Sequence, residues 1–99
     1  MRRALVAQPI CVVCGDHARS AHHVYPRGQG GDDTPENLVS VCGDGVQGCH
    51  GLLHAEQTFA RWRVGRYLQS SRPDTIAYVQ SKLGNEMGLA WLKRRYFIQ

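Results

Sequence analysis

Four cysteines, spaced as two pairs, constrain what this chain can fold into. Cys11 and Cys14 stand two residues apart in CVVCGDH, and Cys42 and Cys49 follow far along the chain, separated by GDGVQG. A CxxC spacing lets two sulfurs face one ion, and Gly15 permits the tight turn this requires. Two thiolate pairs drawn from distant places make a closed, four-coordinate structural zinc site. The competing readings are four buried free thiols or a redox CxxC. A second pair beside a histidine-rich stretch favours zinc. Such a staple suits a chain of 99 residues, which buries only about 60–65% of its unfolded surface and has a modest core. That length suggests one domain.

The second constraint is the placing of the histidines. His22 and His23 are adjacent in AHHVYPRGQGGDDTPENLVSV, and His50 and His54 are four apart in CHGLLH. Residues four apart on a helix share a face. Adjacent residues on a strand point to opposite faces. One of His22 and His23 can therefore join His50 and His54 around a metal while the other faces a substrate. Core histidines bonded to backbone are the bland explanation for any one of them, and a poorer one for three at this spacing beside a cysteine knuckle. His17, just beyond the first cysteine pair, reads as a surface residue.

Val24 and Leu38-Val39-Ser40-Val41 read as two short strands around the loop PRGQGGDDTPEN. Three glycines and two prolines keep that loop irregular. No Gly-Lys-Ser/Thr follows, so it is not a phosphate-binding P-loop. Asp32 and Asp33 read as turn formers rather than metal carboxylates. The Asn37 amide both donates and accepts, so it can tie the loop to itself. From His50 the pattern predicts a helix to about Ala60, with Leu52, Leu53 and Ala55 packed inward. After Phe59 the composition shifts: Arg61, Arg63 and Arg66 alternate with Trp62, Val64, Tyr67 and Leu68. Further helices are predicted from Asp74 to Gly84 and from Asn85 to Lys93, Arg94 and Arg95. The closing cations complement a helix dipole or offer a surface to a polyanion. The aromatics read as core. Residues 1–60 carry four arginines against six acids, and residues 61–99 eight lysines and arginines against two. A basic second half beside a metal-like first half suits a phosphodiester substrate.

The ordered set His22, His23, Pro26, Arg27, Gly30, Gly31, Asn37, Leu38, Cys49, His50 and His54 resembles the HNH nuclease motif. This is the ββα-metal finger of homing endonucleases, nuclease colicins, restriction enzymes and many small phage proteins, and small zinc-containing phage-type members are the most similar. The resemblance runs from Cys11 to about Glu56. It departs at Cys42 and Cys49, where the usual CxxC carries what looks like a four-residue insertion. The fold it implies is α+β: a small ββα-metal core with a four-cysteine zinc knuckle over residues 9–60, and a basic helical extension over 61–99, all in one domain. The activity implied is metal-dependent hydrolysis of DNA. By the resemblance, His22, His50 and His54 hold a divalent cation, His23 is the general base, and Asn37 holds the loop so that the His23 strand stays in place. Manganese or nickel is expected to serve at least as readily as magnesium, because nitrogen ligands favour later ions. Cleavage is expected to fall as pH drops through about 6.5, where base and ligands protonate. Arg27, Arg61, Arg63, Arg66, Lys93, Arg94 and Arg95 are the expected DNA-backbone contacts, which position without specifying sequence.

Two other classes compete with the nuclease. One is a non-catalytic zinc-stapled module that binds DNA or protein, though such a module has no use for an unliganded base beside its metal. The other is a phage DNA-packaging accessory acting with terminase subunits, by family analogy alone. The start, MRRALVAQPI, is too short in apolar residues for a signal peptide, and no window approaches a membrane span. The expected location is the cytoplasm, a host's if the chain is phage-encoded, where cysteines stay reduced.

Overall fold

A computed structural model describes residues 10–99; the amino-terminal stretch excluded above as a leader lies, but for Ile10, outside the described residues. The fold is α+β. Strands β1 (Ser20–His23) and β2 (Leu38–Val41) pair antiparallel, with Ser20 opposite Val41 and His23 opposite Leu38. Helices α1 (Gly48–His54), α2 (Thr58–Ser71), α3 (Pro73–Leu83) and α4 (Asn85–Tyr96) follow. The loop between the strands holds two single 3-10 turns, Arg27–Gln29 and Pro35–Asn37. No helix among the described residues is long and apolar enough to cross a membrane.

Two boundaries differ from those the sequence predicts. The first strand lies just ahead of Val24, whose N–H reaches the Asn37 carbonyl at 2.9 Å and so prolongs the ladder. The helix expected from His50 to Ala60 is two helices. α1 ends at His54 because Glu56 turns left-handed, at φ 61°, while the N–H groups of Glu56 and Gln57 turn back onto the Leu53 and Leu52 carbonyls. Only Leu53 of the three expected apolar residues is buried; Leu52 and Ala55 are exposed.

The break frees α2 to cross toward the last two helices. Ala60, Val64 and Leu68 of α2 recur every four residues and are fully buried, as are Val79 of α3 and Leu92 of α4. They form one core with Cys11, Val13, Val39, Val41 and Leu53, so both halves of the chain share an interior. The closest approach falls at Gly65, where a Cβ would stand 1.8 Å from the Tyr96 carbonyl oxygen. No other residue type lets the end of α4 lie there. Arg72, at the α2–α3 junction, donates to the Leu38 carbonyl at 3.0 Å and the Pro35 carbonyl at 2.6 Å. It thereby pins the helices to the start of β2.

Candidate metal centre and active site

The cysteine pairs meet. The sulfurs of Cys11, Cys14, Cys42 and Cys49 all lie within 4.8 Å of one another. The lengthened GDGVQG spacer does not spoil this, because it folds onto itself. The Asp44 carboxylate accepts the N–H groups of Val46 and Gln47, each at 2.8 Å. Gly43 and Gly48 both take positive φ. The loop returns Cys49 so closely that its N–H points at the Cys42 sulfur, 3.4 Å away. Burial pushes the Cys11 thiol up, but the N–H groups of Cys14, Cys42 and Val13 outweigh it and bring Cys11 down to about 7. Burial and the neighbouring thiols push Cys49 up. Four crowded sulfurs cannot all ionise without a cation among them, and this donor set fits one metal ion.

The second cluster is built from β1 and α1. Ser20 and His22 sit two apart on the strand and so share a face; that face looks onto His50 and His54. The ring centroids lie 5.5 Å (His22–His50), 5.8 Å (His22–His54) and 4.7 Å (His50–His54) apart, and one nitrogen from each falls within 4.8 Å of the others. Ser20 settles which His50 nitrogen this is. Its hydroxyl donates to the Gly43 carbonyl at 2.8 Å and also lies 2.8 Å from His50 Nδ1. A hydroxyl has one hydrogen, so its oxygen accepts from Nδ1–H and leaves the Nε2 lone pair free. His22 is 7% exposed, and its Nδ1 is buried with no hydrogen-bond partner. Its Nε2 lies 3.1 Å from the Tyr96 hydroxyl.

A buried nitrogen without a partner is costly, and three convergent imidazoles offer a metal an open nitrogen site. The residues present therefore fit a divalent cation. Burial, then the nearby His50, His54 and Arg95, hold the His22 pKa down at about 3. Burial, then His54, hold His50 at about 4 against the pull of Asp44. These two imidazoles are neutral well below pH 6.5, which corrects the expectation that all ligands protonate there. Burial raises the Tyr96 hydroxyl to about 12, so it stays protonated.

His23 faces away from this cluster, as strand alternation requires. Its Nε2 bonds the Asp33 carboxylate. A carboxylate only accepts, so Nε2 carries the proton and Nδ1 the lone pair. Arg27 Nε stands 3.7 Å from the same carboxylate oxygen. A cavity of about 360 Å³ spans both sides, lined by His22, His23, His54, Pro26, Arg27, Gly28, Leu53 and Arg95. Asn37 lies outside it, fully buried. Its Oδ1 accepts the Tyr25 N–H at 2.8 Å, and its Nδ2 donates to the Tyr25 and Asp32 carbonyls, each at 3.0 Å. It closes the base of the loop and so carries Asp33 back to His23.

Ser20, Asp33 and Tyr96 are the participants that sequence reasoning missed. No spacing announces the first and last. Asp33 reads as a turn former until the loop is seen to close. Its neighbour Asp32 serves structure instead: its carboxylate accepts from Tyr78 at 2.6 Å and pairs with Lys82 at 3.0 Å.

The basic tail divides. Arg61, Arg94 and Arg95 line a second cavity of about 330 Å³ with Trp91, and Arg95 borders both cavities. Arg63 Nε donates to the Val13 carbonyl at 3.0 Å, and Arg66 Nη2 to the Phe97 carbonyl at 2.6 Å. Lys93 is exposed and lines neither cavity. Of the tail's aromatics, Tyr96 is core as read, Trp91 packs against Tyr25 and Tyr96, and Trp62 is exposed.

Residues 11–56, slightly under half of the chain, match the family model described as HNH endonuclease. No curated protein and no solved structure matches the chain. The matching segment contains every cysteine and histidine of the two clusters, so the likeness to an HNH endonuclease domain rests on the residues that build the site.

Proposed function

We propose that this protein is a metal-dependent endonuclease that hydrolyses DNA phosphodiester bonds, with a structural zinc on Cys11, Cys14, Cys42 and Cys49. One observation carries the reading. His22 and His23 leave β1 in opposite directions, one into a triad with His50 and His54, the other onto Asp33, yet both border one cavity. A module that only bound DNA would have no use for the second histidine. His22, His50 and His54 would hold a divalent cation, manganese or nickel as readily as magnesium, which when bound supplies positive charge beside the scissile phosphate. His23 Nδ1 takes the proton of a water that attacks phosphorus in line. The bond to the 3′ oxygen breaks, and that oxygen gains a proton from solvent, leaving a 5′ phosphate and a 3′ hydroxyl. Asp33 holds the His23 ring by its other nitrogen, and the positive charge of Arg95 and Arg27 borders the phosphate's path. Imidazole suits the base because its ordinary pKa of about 6.5 matches working pH.

The test uses supercoiled plasmid and a manganese series, with wild type beside His23→Ala. Wild type is expected to nick or linearise the plasmid and to stop when manganese is chelated. His23→Ala is expected to keep its zinc and its DNA affinity while cutting about 100- to 10,000-fold more slowly. Equal cutting by both removes His23 from the mechanism. No cutting by either with any divalent metal makes the protein a zinc-stapled binding module.

A further inference from the structure

We propose that Tyr96, at the end of α4 and far outside the HNH segment, is a positioning residue that fixes which nitrogen His22 offers to the metal. Tyr96 is 1% exposed. Its hydroxyl donates to the Val24 carbonyl at 3.0 Å and lies 3.1 Å from His22 Nε2. The single hydroxyl hydrogen is committed to Val24, a carbonyl that cannot donate in return. The phenol oxygen therefore accepts, and His22 Nε2 must carry the imidazole proton. The lone pair is left on Nδ1, the atom that is buried without a hydrogen-bond partner, on a ring with a nitrogen within 4.8 Å of those offered by His50 and His54.

Ser20 does the converse for His50, holding its proton on Nδ1. Both ligands thus have a hydroxyl anchored to a backbone carbonyl behind them, one from the strand beside and one from the last helix. Partners of this kind orient a ligand and select its tautomer, and their loss costs about 10- to 100-fold in metal affinity. The seat of Tyr96 is itself built for closeness: Gly65 lets the backbone at Tyr96 lie against α2, and Val24 directly follows the histidine pair. The metal centre is therefore completed by the helical extension, and the ββα segment alone lacks one of its parts.

This proposal rests on the histidine triad being a metal site, and its test separates the two. Two-bond nitrogen–proton correlation spectra of the zinc-loaded wild type report the His22 tautomer directly, and the proton is expected on Nε2. Calorimetric titration with nickel then compares wild type with Tyr96→Phe, with zinc content and melting temperature followed in parallel. Tyr96→Phe is expected to bind nickel about 10- to 100-fold more weakly while keeping its zinc. A purely structural tyrosine would lower the melting temperature and leave nickel affinity within twofold of wild type, which would overturn the proposal. A wild-type spectrum with the proton on Nδ1 would overturn it without any variant, and decides the matter should Tyr96→Phe not fold. Failure of wild type to bind nickel at the histidines would remove the triad as a metal site, and this proposal with it.

Discussion

At the scale of single residues, His22 and His23 show how adjacent, identical side chains acquire different chemistry. Burial, then the neighbouring histidines and Arg95, holds His22 neutral, whereas His23 is half-buried beside a carboxylate. Their divergence is legible from adjacency on a strand. Their partners are not, because Ser20, Asp33 and Tyr96 arrive by tertiary closure and no local period records it. In the proposed mechanism Asp33 acts through His23, so its removal is expected to cost no more than removal of the base. Asp33→Asn is expected to cut at a rate between wild type and His23→Ala, with nickel affinity unchanged. A rate equal to wild type would make Asp33 a turn former after all. The His22 shift also sets a pH dependence. Its folded pKa of about 3 lies below the unfolded value of about 6.5, so as pH falls the unfolded chain takes up the proton first. The stability contributed is complete above about 6.5 and drains away toward 3, by up to about 1.4 kcal/mol per pH unit. Denaturant midpoints between pH 7 and 5 are expected to fall more steeply for wild type than for His22→Phe, and parallel slopes would contradict this.

At the scale of elements, what punctuates the chain decides what can be read. Pro73 opens α3, and Gly84, with φ 97°, separates α3 from α4, so the sequence places both helices to within a residue or two. The end of α1 escapes it, since Ala55, Glu56 and Gln57 contain neither glycine nor proline and the left-handed turn falls on Glu56. The GDGVQG spacer reads in sequence as a CxxC lengthened by four residues. In the fold it is an Asp44-centred turn that returns Cys49 to Cys42. The knuckle also holds the strands: the Val12 N–H reaches the Ser40 carbonyl at 3.0 Å, and Arg63 spans from α2 to Val13. Thiolate zinc contributes roughly 10 kcal/mol or more to the folding of small fingers, comparable to the whole stability of a domain, about 5–15 kcal/mol. Cys11→Ser is therefore expected to lose its zinc and unfold the first half, seen as zinc release in elemental analysis and disappearance of dispersed amide signals. A Cys11→Ser protein that stays folded with a full complement of zinc would sink the assignment.

At the scale of the molecule, the charge asymmetry between the halves overstates the surface offered to DNA. Several of the eight cations in residues 61–99 are engaged within the fold. Arg63, Arg66 and Arg72 bond carbonyls of the knuckle, the carboxy-terminal residues and β2, and Lys82 pairs with Asp32. On the proposed function, the cations that would meet a phosphate chain are those bordering the cavities: Arg27 beside His23, Arg95 between the two, and Arg94 beyond it with Arg61, which also pairs with Glu56 at 3.5 Å. They trace one path from the histidine triad onto α4, whereas composition points to all the arginines of α2 alike. Arg27 and Arg94 are the exposed members of that path, so they can be neutralised with little harm to the fold. Removing one cation–phosphate pairing flattens the plot of log affinity against log salt by about 0.9 on duplex DNA. In the His23→Ala background, which prevents cutting during the measurement, Arg27→Gln with Arg94→Gln is expected to flatten the slope by up to about 1.8 for every sequence tried. Arg63→Gln with Arg66→Gln is expected to leave the slope alone and lower the melting temperature, because those guanidiniums hold carbonyls rather than phosphates. The reverse pattern, a slope that follows Arg63 and Arg66 and ignores Arg27 and Arg94, would place DNA across α2 and away from the cavity that His23 faces.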